Sequence, residues 1–137
     1  MRAAGATRIA GRALPWLLLL YGATSLLHFA HNAEYLADYP NLPAWFSRPS
    51  VYGVWSGIFV LGLCGYLLYR RGHTAIGLAL LAACAAFGFD GLLHYGRASM
   101  AAHTAAMNLS NWTGAVTAAA ALTAVLFLGL QEERAGR

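Results

Sequence analysis

The chain has 137 residues, of which 59% are hydrophobic and only 10% are charged. Soluble domains carry about 25% charged residues, so this composition excludes an ordinary soluble domain. The net charge of +4 comes from nine arginines and no lysine. Those arginines flank apolar segments instead of forming one basic face, which argues against a nucleic-acid partner.

Met1 to Arg12 reads as a short basic lead lying on a membrane surface. A bilayer core of about 30 Å needs roughly 20 apolar residues per helix. Four such stretches follow: Leu14 to Tyr35, Val51 to Tyr69, Thr74 to Tyr95, and about Ala101 to Leu130. An open strand cannot satisfy its backbone in hydrocarbon, so the predicted fold is an all-α integral membrane protein. It is a single four-helix transmembrane bundle spanning residues 1–137. The first 25 residues resemble a secretory signal, with small residues at Ala23-Thr24-Ser25. The apolar run continues past that point, so a retained span is expected.

Seven arginines (Arg2, Arg8, Arg12, Arg70, Arg71, Arg134 and Arg137) fall on one side of the four spans, and Arg48 and Arg97 on the other. The positive-inside rule then puts both termini in the cytoplasm. The lysine-free, Ala-, Gly-, Leu- and Arg-rich composition fits a multi-pass protein of a bacterial inner membrane. Its expected partners are the bilayer itself and, for so small a chain, a second copy or a partner membrane subunit.

Between the first two spans, Pro40, Pro43 and Pro49 oppose a helix. Trp45 and Phe46 there suit the headgroup level, and the same loop is long enough to cover polar groups. In the second span Gly53-x-x-x-Gly57, then Gly62 and Gly65, predict close helix contact. Arg70-Arg71-Gly72-His73 reads as a tight turn with a solvated His73. Cys64 and Cys84 lack metal-finger spacing and read as buried apolar thiols, with no disulfide favoured between them. Asn108-Leu-Ser and Asn111-Trp-Thr match a glycosylation pattern by chance, inside a predicted helix.

The spans also carry polar groups that are costly in hydrocarbon. At 100° per residue, Tyr21, Thr24, His28, His31, Asn32 and Tyr35 share about a third of the first helix, with Glu34 at its edge. Asp90 and His94, four residues apart, share a face of a third helix. His103, Met107, Asn111 and Gly114 share a face of a fourth. The topology sets all three patches at one depth, near the outer surface.

Histidine and carboxylate on facing helices are the usual ingredients of a bundle metal site. His28, His31, Asp90, His94 and His103 are the candidate ligands for copper, iron or zinc. Glu34 is a candidate general base or sixth ligand, and Asn32, Tyr35 and Asn111 are candidates to hold the ligands in orientation. The carboxylate-bridged diiron pattern is absent, since no Glu-x-x-His occurs. In ligand type alone, Asp90-x-x-x-His94 with the later His103 resembles the set in the membrane subunit of copper methane and ammonia monooxygenases. The competing expectations are a b-type haem held between histidines, a quinone-binding electron carrier, proton-coupled transport through Asp90, His94 and Glu34, and a purely structural helix-packing role. Ser25, Ser56 and Ser110 lack a nucleophile context, which disfavours serine hydrolysis.

Overall fold

The computed structural model describes residues 2–136, so Met1 and Arg137 lie outside the described residues. Four helices form the molecule: α1 (Arg2–Glu34), α2 (Arg48–Arg70), α3 (Thr74–Phe87) and α4 (Ala105–Ala135). Among the described residues there is no strand. With the segment that extends α3 to Gly96, all four are long and apolar enough to cross a membrane.

The helix boundaries differ from those expected at three places, each for a local reason. The basic lead is not separate: α1 runs unbroken from Arg2 through Pro15. At 1.5 Å per residue it is about 50 Å long, more than a bilayer core requires. Next, α2 begins at Arg48, one residue before Pro49. Proline is tolerated in a first turn, where its missing N–H would have no intrahelical partner. Ser47 caps this helix and exchanges hydrogen bonds with Ser50. Lastly, the third segment changes helix type. The α-helix stops at Phe87, and Asp90–Gly96 continues as a 3-10 helix.

Inside-facing residues follow heptad-like spacings. On α4 the buried stripe is Met107, Asn111, Gly114, Ala118, Ala121, Val125 and Leu128. On α1 it is Leu14, Tyr21, Ser25, His28 and Asn32. Repeats of four and three residues keep one stripe of each helix facing its neighbours. Leucines crowd the opposite faces: Leu19 and Leu27 are more than 60% exposed. Small and polar residues inside, with large apolar ones outside, are the pattern of helices surrounded by lipid.

The principal helix pairs are α1 with α4 and α2 with α3, and α3 also packs on α4. Glycines mark the tightest approaches. A Cβ on Gly62 would meet Cys84 Sγ at 2.8 Å, and one on Gly65 would meet the backbone nitrogen of Leu81 at 3.0 Å. Gly53 and Gly57, by contrast, look outward, with nothing within 4 Å of an added Cβ. The expected role of Gly53 and Gly57 in packing within the chain is therefore not what they do. Cys64 is exposed, Cys84 is buried, and both are free thiols.

Candidate functional site

The bundle has an arginine end and a histidine end. His73 precedes α3 at the arginine end and is exposed, apart from the other four histidines. At the histidine end, α1 finishes, α2 begins, the 3-10 helix runs out, and α4 starts.

α1 supplies the centre of the site. His28 and Asn32, one turn apart on its inner stripe, are both more than 90% buried. The Asn32 amide nitrogen lies 3.1 Å from His28 Nε2 and 3.4 Å from His94 Nε2. An amide NH2 has two hydrogens to give, so it donates to both rings. His28 Nδ1 donates at 3.5 Å to the Ser110 hydroxyl, which donates in turn to the Met107 carbonyl at 2.9 Å.

The third segment reaches the centre through its change of helix type. Gly88 lies so close to Tyr21 and Ala118 that a Cβ would overlap both. Past it, a 3-10 helix turns 120° per residue, which aligns positions three apart. Gly91 and His94 therefore share a face, and Asp90 with His94 do not. A Cβ on Gly91 would press on His28 Cε1 at 3.0 Å and on Asn111 Oδ1 at 3.2 Å. The bare glycine lets His28 fit beneath the segment that carries His94. The rings of His28 and His94 are 5.9 Å apart, centroid to centroid. Asp90, off that face, still places Oδ1 4.0 Å from His28 Nε2.

His103 arrives differently from expected. Thr104 is the N-cap of α4, accepting a hydrogen bond from Met107 N at 3.2 Å. His103 thus precedes the helix and does not continue its face. It is nonetheless buried, with its ring 6.1 Å from that of His94. Its Nδ1 donates to the Ser99 carbonyl at 2.9 Å. The lone pair of the neutral ring is then on Nε2, which is buried without a partner. Asn108 fixes this stretch by donating to the carbonyls of Met100 and His103 and accepting from the Tyr95 hydroxyl.

Two expected participants sit at the margin. His31 is half-buried, bonded through Nδ1 to the Tyr39 hydroxyl at 2.8 Å and stacked on the exposed Tyr35. Glu34 faces away, accepting from Arg48 at 2.7 Å and from the Tyr52 hydroxyl at 2.9 Å. That pair ties the end of α1 to the start of α2. Asn111 is at the centre, 1% exposed, with neither side-chain polar atom bonded. It borders a small enclosed space together with Tyr21, Ser25, His28 and Asp90.

Three residues of the site escaped the sequence reading: Ser25, Ser110 and Tyr39. Ser25 was detectable, because it continues the four-and-three spacing of Tyr21, His28 and Asn32. Tyr39 carried no such signal. It comes from the loop between α1 and α2, is 4% exposed, and lies over His94 with ring centroids 4.9 Å apart. Burial pushes its phenol up to about 12. The same loop is held down by Asn41, which donates to the Arg97 carbonyl, and by Arg97 over the Phe46 ring. The loop thus covers the cluster, while Trp45 stays exposed as an interfacial aromatic would.

Among the described residues, no three His, Cys, Asp or Glu side chains stand in an arrangement that would already hold a metal ion. Comparison with protein-family models, curated proteins and solved structures gave no match to the chain.

Proposed function

We propose that this is a multi-pass membrane protein that binds one transition-metal ion through the Nε2 atoms of His28, His94 and His103. The carrying observation is that the His28 and His94 lone pairs face one point, the Asn32 amide nitrogen, while the buried Nε2 of His103 has no partner. Two of the three rings also have Nδ1 anchored on oxygen, at Ser110 and Ser99. An Nδ1–H held this way fixes the tautomer that offers Nε2 to a metal.

Metal–imidazole bonds are about 2.0–2.1 Å, shorter than the contacts to the Asn32 amide. Binding therefore requires Asn32 to turn aside and the rings to draw inward. Asp90, beside His28, supplies a carboxylate as fourth ligand or as charge balance. Nitrogen and oxygen donors suit zinc, copper or iron. The space beside His28 has no room for even a water-sized sphere as the side chains stand, which favours a single ion over a haem macrocycle. His31 and Glu34 serve the cover of the site instead of the ion.

The orientation follows the arginines: the exposed Arg8, Arg12, Arg70, Arg71 and Arg134 mark a cytoplasmic end, and the histidine end faces outward. A lysine-free inner-membrane protein of a bacterium is the setting this composition fits.

The test is elemental analysis of the detergent-purified protein, followed by titration with zinc, copper(II) and iron(II) after chelation. One equivalent should bind, and His94→Ala or His103→Ala should abolish it while the helical circular dichroism persists. A protein that takes up none of the three metals sinks the reading, and a Soret band replaces it with haem.

A further inference from the structure

Between α1 and α2 lies an apolar groove of about 570 Å³, large enough for one small ligand. Its rims are open: Leu19, Phe59 and Leu63 are between 46% and 64% exposed. We propose that this groove binds a chain-bearing planar carbonyl compound of the quinone class, taken from the lipid phase. The proposal goes beyond the metal site and does not depend on it.

Three features favour a flat ring with polar edges over a plain hydrocarbon chain. Trp55 and Phe59 stack on each other along the wall, their rings 5.3 Å apart and inclined by 22°, an aromatic pair against which a flat ring can pack. Gly22 and Gly62 line the same groove without side chains, and Gly22 has nothing within 4 Å of an added Cβ. The floor is polar at one place. Tyr21 and Ser25 border both the groove and the enclosed space that holds His28, Asp90 and Asn111. A bare acyl chain makes no use of hydroxyl groups there, whereas a ring carbonyl accepts hydrogen bonds from them. Tyr21 already donates to the Cys84 carbonyl at 2.9 Å, and Ser25 bears on the Tyr21 hydroxyl, so a ligand carbonyl takes the Ser25 hydrogen in place of that contact. Two hydroxyl-bearing side chains thus separate a lipid-accessible groove from a cluster of titratable groups.

The experiment uses the chelated full chain in nanodiscs, with Trp16, Trp45 and Trp112 changed to Phe so that Trp55 alone reports. Decylubiquinone should quench Trp55 saturably, above the linear quenching produced by its partition into lipid. Gly22→Leu fills the groove from a position with free space, and it replaces a poor helix former with a good one. It should weaken the saturable phase at least tenfold with an unchanged melting temperature. Ser25→Ala should weaken it severalfold. Quenching that is linear, or equal in Gly22→Leu, overturns the proposal. So does displacement of the quinone by dodecanol at equal concentration, which would assign the groove to plain alkyl chains. Because the metal is removed throughout, failure of the metal site leaves these outcomes untouched.

Discussion

The Tyr39 hydroxyl lies 2.8 Å from His31 Nδ1, joining a loop residue to the last turn of α1. This bond, with the ring contact to His94, seats the loop on the histidine end. Tyr39→Phe keeps the ring and removes the bond. A typical hydrogen bond contributes about 0.5–1.5 kcal/mol, so a loss of that size is expected in unfolding of the detergent-solubilised protein. Amide hydrogen exchange should accelerate over residues 36–47 and remain slow in α3.

The same phenol gives a pH signature. Burial raises the Tyr39 pKa to about 12, above the unfolded value of about 10. Its contribution to stability is therefore fully present below pH 10 and lost as pH rises through about 12. In a spectrophotometric titration, the difference between wild type and Tyr39→Phe should show almost no phenolate signal at about pH 10.5, half of it at about pH 12, and the whole of it at that pH only on unfolding.

Asn111 is 1% exposed and has no hydrogen-bond partner for its amide. A buried polar group left unpaired costs about 1–3 kcal/mol. Asn111→Leu, alike in branching though larger, should therefore raise stability by less than that, since packing the added volume offsets part of the gain, while weakening metal uptake. Equal or lower stability in the leucine variant would show that the amide is paired in the working protein.

Gly91→Ala should act chiefly on the site. The added methyl meets His28 Cε1 at 3.0 Å and both Cα and Oδ1 of Asn111 at 3.2 Å, so His28 and the adjoining turn of α4 must give by a few tenths of an ångström. Metal affinity is expected to fall about tenfold or more, as it does when ligand orientation is disturbed. Gly88→Ala is the contrast: its methyl overlaps Tyr21 and Ala118, and the loss there should be in thermal stability.

Glu34 and Arg48 form an exposed pair, and such pairs contribute about 0–1 kcal/mol. Glu34→Gln should leave metal binding unchanged and lower the melting temperature by no more than a few degrees. A large loss of metal affinity in this variant would return Glu34 to the site.

The four helices were legible because a span needs only length and apolar composition, and both are plain in the chain. The inner stripe of α1 was legible in His28 and Asn32, since a polar residue in an apolar helix stands out. Ser25 was overlooked because it was weighed as a nucleophile and not as part of a repeat. Asp90 with His94 was misaligned because helix type was assumed: the glycines at 88 and 91 mark where the α-helix gives way. His103 was carried one turn too far into α4, although Thr104 is a good N-cap residue and announces the start. Tyr39 lies in a loop, where no period exists to predict which side chain turns inward. Glu34 was grouped with the site by proximity in sequence, but on a helix its neighbours three and four away decide its company.

The 3-10 segment sets the aim of one ring of the site. Over the four residues from Asp90 to His94, a 3-10 helix turns about 80° further and rises about 2 Å more than an α-helix would. The bearing of the His94 ring toward His28 is therefore set by which carbonyl each amide selects, three or four residues back. Here the spacing of main-chain hydrogen bonds aims a side chain, and Gly91, with no side chain to catch on His28, leaves room for that aim.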